Sequence, residues 1–368
     1  RNMCRWIAAC LGAALSLASP MLWAAGFSVV FINPGRTDEP FWRSVTRFMQ
    51  PAAQQLDINL EVLYAERDHL KMKALAREVI GRRKKPDYLM IVNEKLAAGD
   101  MLKMADKAGI KTLMLFSKFD DAQTAEFGKP REKFRYWIGT LSPNATVAGQ
   151  HTANELLRQA HLLRAIADDG KVHVAVIAGD KATPTSTQRL QGAVEAFAAD
   201  QSVVLEQVVF GNWERARAHE QAAALLLRYP KLNAFWSASD LMAYGAMDAA
   251  EAAGRTPGTD LLFSAINNSP QVLEARVQGR ISALSGGHFT AAAWGLVMLY
   301  DYHHGKDFRK EGLELNPPLF MLLDEERAQR FLHRFGDEDF SSVNFRPFSK
   351  HLNPHVRTYQ FSLQPALR

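Results

Sequence analysis

Cysteine is almost missing from this chain: Cys4 and Cys10, both in the first ten residues, are the only two. Thiol catalysis, disulfides and cysteine metal sites are thereby excluded from everything that follows. The glycine signatures of nucleotide sites are missing as well. No Gly-x-Gly-x-x-Gly follows the first apolar strand pattern, no Gly-x-x-x-x-Gly-Lys occurs, and there is no Gly-x-Ser-x-Gly elbow to expose a nucleophile. Histidines do not fall at metal-ligand spacing, so neither cofactor nor metal is expected. After residue 25 no apolar run approaches the roughly twenty residues that a membrane helix needs. The net charge of +5 is not gathered into a stripe, which argues against nucleic acid as a partner. Only residues 82–85 form a basic run, placed where a helix should end before Pro86 and where cations favour the negative end of its dipole.

What is present is a sizeable apolar fraction, 47% of 368 residues, enough for two domains of ordinary size. Arg1 and Arg5 precede an apolar run over residues 7–17, and small residues follow at 24 and 25. This pattern reads as an export signal over residues 1–24, cleaved after Ala24. Ile7-Ala8-Ala9-Cys10 offers a second, minor reading as a lipid-anchoring box.

From residue 27 onward, short β-branched or aromatic runs alternate with longer segments of helical period, the mark of βα units and parallel sheets. Strands are expected over 27–33, 58–64, 88–92 and 112–116, with helices over 41–56, 70–80 and 97–108 between them. Residues 120–131 are polar and irregular, and a strand follows over 134–139. A second series has helices over 145–166, 187–199, 213–228, 241–253 and 271–277. Its strands fall at 172–177, 203–210, 234–236, 261–265 and 281–284, and a last helix covers 291–302. Two such series imply two doubly wound lobes, whose ligands sit at the carboxyl ends of the strands.

The stretch Tyr-Pro-Lys-Leu-Asn-Ala-Phe-Trp-Ser-Ala-Ser-Asp-Leu-Met-Ala-Tyr-Gly-Ala-Met-Asp-Ala-Ala, residues 229–250, resembles the sugar-binding family of type I periplasmic binding proteins. Pro40-Phe41-Trp42, Arg189-Leu190-Gln191-Gly192 and Gln278-Gly279-Arg280-Ile281 match it too. Asn33-Pro34-Gly35 with Trp42, the insertion around 131–134 and a tail through Phe348-Ser349-Lys350 look most like the autoinducer-2-binding branch. That branch holds a borate-bound signal with two arginines, and the aligned positions here are Arg189 and Ser285.

The resemblance implies an α/β protein of two parallel-sheet lobes joined by a multi-strand hinge, one lobe from 27–140 plus 288–312 and the other from 141–287 plus 313–345. Residues 346–368 are left as a tail. It implies chain crossings near Thr140, Asn267 and His288, a small polar, sugar-like ligand, a monomer, and no enzymatic activity. The membrane partner is the permease of an ABC-type importer or, alternatively, a sensor kinase or cyclase. Related repressors carry a DNA-binding motif where this chain has its export signal.

Sugar binding needs flat apolar faces and fixed polar groups. Phe41, Trp42 and Trp213 stand just after strands and are candidate stacking aromatics, although Phe41 also reads as a core residue of its helix. The two tryptophans are expected to be cleft residues whose loss spares the fold. Polar candidates are Glu39, Ser117, Thr187, Arg189, Ser239, Asp240 and Asn267, with Asp38, Lys118 and Asn268 beside them. Ser239 also suits a helix N-cap, and Arg189 suits bracing between lobes. Asn267 stands where the family commonly has an aspartate. His288 follows Gly286-Gly287, where a backbone can approach a ligand closely, but a lone histidine there reads equally as a hinge residue.

Overall fold

The computed structural model describes residues 26–368, so the expected export signal and cleavage position lie outside the described residues. Two six-stranded sheets organise the chain. The first takes β1 (Ser28–Asn33), β2 (Asn59–Tyr64), β3 (Tyr88–Val92), β4 (Lys111–Leu115) and β5 (Trp137–Leu141), all parallel. Helices α1 (Pro40–Gln55), α2 (His69–Gly81), α3 (Ala98–Lys107) and α4 (Asp121–Phe127) alternate with them. The central strands β1 and β3 are buried almost throughout and mostly apolar because helices cover both faces. Edge strand β2 is only half-buried and carries Glu61. Pro40 opens α1 with its φ already preset for a helix.

Residues 120–131 are less irregular than their composition implies. Asp120 and Gln123 form a reciprocal capping box that starts α4, a Asp-x-x-Gln signal that nucleates a short helix in a polar stretch. Strand β5 begins three residues later than expected, at Trp137.

The second sheet takes β6 (Val172–Ala178), β7 (Val203–Phe210), β8 (Ala234–Ser237), β9 (Leu262–Ile266) and β10 (Ala283–Gly286). Its helices are α5 (Ala145–Leu162), α6 (Pro184–Ala198), α7 (Arg215–Arg228), α8 (Asp240–Ala252) and α9 (Pro270–Val277). Helix α6 starts at Pro184, a turn earlier than expected, because Asp180 receives the backbone N–H groups of Ala182 and Thr183 and shapes the entry. Thr187, expected at the helix start, therefore lies one turn inside α6.

Helix α10 (Ala291–His303) returns to pack on α1. The next strand, β11 (Glu314–Leu315), pairs with β5 of the first sheet, so residues 313–315 do not join the second lobe as the resemblance implied. Strand β12 (Met321–Leu322) then pairs antiparallel with β10. The chain therefore passes between the sheets at 142–144, 287–290 and 316–320. The loop at Asn267 is not a crossing. It stays beside the second sheet, its N–H bonded to the Ser285 carbonyl at 2.9 Å.

The C-terminal segment from residue 325 onward, the tail included, is a structural part of the molecule. Helix α11 (Glu325–Phe335) packs on α9 of the second series. The chain then returns to the first series, where Phe340 and Phe345 meet Phe48 of α1 and Phe361 stacks on Trp294 of α10. Buried Asp301 of α10 anchors it, accepting from Ser349 Oγ, the Lys350 and His351 amides and the Tyr359 hydroxyl at 2.5–3.1 Å. Among the described residues no helix is long and apolar enough to cross a membrane.

Candidate ligand-binding site

A cavity lies between the carboxyl ends of the two sheets, where a doubly wound fold places its ligand. From the first sheet it receives Glu39, Phe41 and Trp42 after β1, Arg67 after β2, Glu94 after β3, and Phe116 and Ser117 after β4. From the second it receives Thr185 and Arg189 on α6, Trp213 after β7, Ser239 to Leu241 after β8, and Asn267 after β9. His288 and Phe320 enter from the second and third crossings.

Local chemistry shapes each of these loops. Asn33 accepts the Gly35 N–H and donates to the Trp42 carbonyl, folding the loop after β1 back on its helix. A Cβ on Gly35 would strike the Trp42 ring, so glycine is what lets the indole pack there. Trp213 donates its indole N–H to Asp180 at 2.9 Å. Burial raises the Asp180 carboxyl, yet hydrogen bonds from Thr183 and Trp213 outweigh it and hold the group below its ordinary value. Ser239 caps α8 through the Met242 N–H at 3.4 Å, as its position predicts. Arg67, Phe116, Trp213 and Asn267 all sit at positive φ, between 62° and 118°. Backbone strain of this kind costs on the order of 1–3 kcal/mol per residue and collects at binding sites.

Charge is arranged in two groups. Arg67 bridges Glu39, on which its Nε lies at 2.9 Å, and Glu94 at 2.7 Å. Burial depresses its pKa, but the two carboxylates prevail and the guanidinium is held above its ordinary value. Glu94 is pushed up to about 7 by burial, against the attraction of Arg67. Asp240 is buried and its carboxyl is raised by desolvation, while Asn267, Ser269 and the Leu241 N–H all donate to it at 2.7–2.9 Å. Arg189 has no carboxylate partner among the described residues. It donates to the Ala238 carbonyl at 2.8 Å and to His288 Nε2 at 3.1 Å. Burial lowers its pKa to about 10, leaving it charged at neutral pH.

The aromatics are joined to these charges. Trp213 lies within 5.6 Å of both the Arg67 and the Arg189 guanidinium, a cation–π contact on each. Phe41, Trp42 and Phe116 meet edge to face. The two sides touch directly: the Thr185 N–H reaches Ser117 Oγ at 3.1 Å and the Lys95 N–H reaches Thr183 Oγ1 at 3.0 Å.

Of the residues singled out in the sequence, Glu39, Phe41, Trp42, Ser117, Arg189, Trp213, Ser239, Asp240, Asn267 and His288 come together at this cavity. Thr187 does not. It is exposed one turn into α6 and bonds back to the Pro184 carbonyl, while Thr185 occupies the cavity wall. Asp38 and Lys118 point to solvent, and Asn268 turns to the Gly287 N–H. Phe41 and Trp42 serve the core and the cavity wall at once. The sequence reading missed Arg67, Glu94, Phe116 and Phe320. The first three follow strands just as the identified residues do, and that position alone could have marked them. Phe320 lies in a proline-flanked tail segment with no local signal.

An α/β protein of two parallel-sheet lobes with a polar and aromatic cavity at the facing strand ends belongs to the class of cleft-type binding proteins. The chain is a member of the periplasmic binding protein domain family, which matches residues 29–307. It is 40% identical to a periplasmic sugar-binding protein from Pseudomonas fluorescens of known crystal structure, with a TM-score of 0.84 over 93% of this chain and 100% of that one. The D-allose-binding periplasmic protein of Escherichia coli (strain K12) is 24% identical over 247 residues, 66% of this chain and 73% of the relative. The fold is shared with an ABC transporter periplasmic solute-binding protein from Actinobacillus succinogenes with bound D-allose, at TM-score 0.70 and 22% identity, covering 82% of this chain and 99% of that one. The family is periplasmic, and these relatives are solute-binding proteins rather than enzymes.

Proposed function

We propose that the protein is exported by cleavage of its first 24 residues, captures a small sugar in the cavity between two closing lobes, and hands it as a monomer to the permease of an ABC-type importer. One observation carries this reading: a buried cavity at facing strand ends that combines aromatic faces (Phe41, Trp42, Trp213) with fixed donors and acceptors (Arg189, Asp240, Asn267, His288). Carbohydrate C–H faces pack on such rings and hydroxyls exchange hydrogen bonds with such groups. The relatives from Pseudomonas fluorescens and Escherichia coli are sugar- and D-allose-binding periplasmic proteins, and the one from Actinobacillus succinogenes is an ABC transporter solute-binding protein, which supports import over sensing.

The autoinducer-2 branch gains less support. Ser285 is buried on β10 and is not among the residues lining the cavity, so only Arg189 remains of the two arginines associated with a borate diester. Mass spectrometry of what co-purifies from the periplasm, followed by calorimetry, tests the proposal. A monosaccharide is the expected ligand, with D-allose and D-ribose the first probes and no borate-dependent heat from autoinducer-2. Tight borate-dependent binding, or catalytic turnover of a bound sugar, would overturn it.

A further inference from the structure

The family match ends at residue 307, yet a side chain from beyond it reaches the cavity. Phe320 is presented by a stiff segment. Asn316 bonds to the Ser142 carbonyl at 2.7 Å, tying the third crossing to the first. Pro317 and Pro318 restrict the backbone that follows, and the Leu319 carbonyl lies so close to Gly287, at φ +99°, that a Cβ there would meet it at 2.6 Å. The Phe320 ring then stacks on His288 with centroids 4.3 Å apart and planes 21° apart. Phe41 stacks with the same imidazole at 4.7 Å and 18°. The Arg189 guanidinium lies 5.7 Å from the Phe320 ring.

These contacts fix what His288 can offer. Arginine has only donors, so the N–H of Arg189 that meets His288 Nε2 requires that nitrogen to accept. The ring proton is therefore on Nδ1. That nitrogen is buried and has no protein partner among the described residues, and the residue lines the cavity. Burial, and then the Arg189 charge, hold the imidazole well below its ordinary pKa, so it stays neutral. The other unpartnered buried nitrogens of the cavity wall, Trp42 Nε1 and Arg189 Nε, are donors as well. A buried donor left unpaired is costly, so these three positions call for ligand acceptors and disfavour an ammonium group placed against them.

We propose that Phe320 is a specificity-determining residue: by clamping the His288 ring it holds the Nδ1–H toward the cavity as an obligatory donor to one ligand oxygen. Phe320 acts through His288 and is a positioning residue. The inference rests on the sugar reading above for the kind of ligand, but the state of the ring is independent of it. The ligand class it selects is a hydroxyl- or carboxylate-bearing sugar with an acceptor at that carbon, and amino sugars cationic there are rejected.

Two measurements on the full mature protein test this. In the first, nitrogen-15 NMR of the ligand-free protein follows the His288 ring, assigned by loss of its signals in His288→Gln. A neutral Nδ1–H tautomer with no titration between about pH 5.5 and pH 8 is expected. In Phe320→Leu, which keeps apolar volume but removes the stacked face, the ring should exchange tautomers or titrate. An Nε2–H tautomer, or a wild-type ring that titrates in that range, overturns the proposal. In the second, calorimetry compares D-allose with its 2-, 3-, 4- and 6-deoxy analogues. The wild type should lose about tenfold or more at one carbon, because a site built to bond a hydroxyl rejects the analogue lacking it. Phe320→Leu and His288→Ala should shrink that one penalty to less than about threefold. A uniform loss across all analogues, or an unchanged penalty, shows Phe320 to be structural only and sinks the selectivity claim. If neither D-allose nor D-ribose binds the wild type, the sugar reading fails, and the NMR result still decides whether Phe320 locks the ring.

Discussion

Trp213 sits between two guanidiniums and donates to a carboxylate that also shapes the next helix, so one side chain joins three parts of the site. It is 7% exposed, and Trp42 is 4% exposed against Phe41 and Phe116. Sequence position marked both as cleft aromatics whose removal would spare the fold. Their burial changes that expectation. Trp42→Ala opens a hole in packed core and should cost about 3–5 kcal/mol of unliganded stability, as large-to-small aromatic substitutions do. Trp213→Ala should cost less, because part of its burial comes from the facing side of the cleft, yet it should lower sugar affinity tenfold or more, about 1.4 kcal/mol. Denaturant midpoints without ligand and calorimetry with it separate the two effects. Retained affinity in Trp213→Ala would remove this indole from the binding site.

At the scale of elements, the approach of α5 to α6 sets where Arg189 stands. A Cβ on Gly192 would strike the Thr146 carbonyl, and one on Gly149 would strike the Arg189 carbonyl, so the two helices touch backbone to backbone. Both glycines are interior to helices, where they cost roughly 0.5–1 kcal/mol relative to alanine, and close packing is what repays that cost. Gly192→Ala forces the helices apart. The expected outcome is a loss of about 1–3 kcal/mol from overpacking together with weaker ligand binding, because Arg189 moves with α6. A variant with wild-type midpoint and affinity would show that the contact relaxes without disturbing the site. The glycine of the Arg-x-x-Gly pattern thus has a packing role, whereas its arginine faces the ligand cavity and braces the Ala238 carbonyl at the same time.

For the whole molecule, the contacts across the cleft describe the lobes together: Thr185 to Ser117, Lys95 to Thr183, and Arg67 against Trp213. Few polar bonds hold them, which is what a closure driven by ligand requires. Small-angle scattering is expected to show contraction on saturation with the identified ligand. An unchanged radius at saturation would rule out closure about the three crossings. The tail bears on the same motion, since it packs on α9 through α11 and on α1 and α10 through Phe340, Phe345 and Phe361. It is a fourth passage between the two series, on a part of the chain outside the family match.

The sequence by itself determined the order of βα units, because period and turn chemistry are local, and it determined that a binding cleft lies at the strand ends, because doubly wound sheets always present their loops there. Most of the cavity wall was legible for that reason, from Trp42 after β1 to His288 after β10. The missed helix α4 and the misplaced start of α6 were also local, set by Asp120 with Gln123 and by Asp180, and their caps were readable signals. What only the tertiary structure decided are the pairings between distant segments. Glu314 beside Thr140, Arg67 shared between Glu39 and Glu94, Asp301 receiving four donors from the tail, and Phe320 laid on His288 join residues whose separation leaves no periodic trace in the chain. Such contacts form only when the two sheets have packed and the crossings have fixed their ends, so their chemistry belongs to the fold rather than to any stretch of sequence.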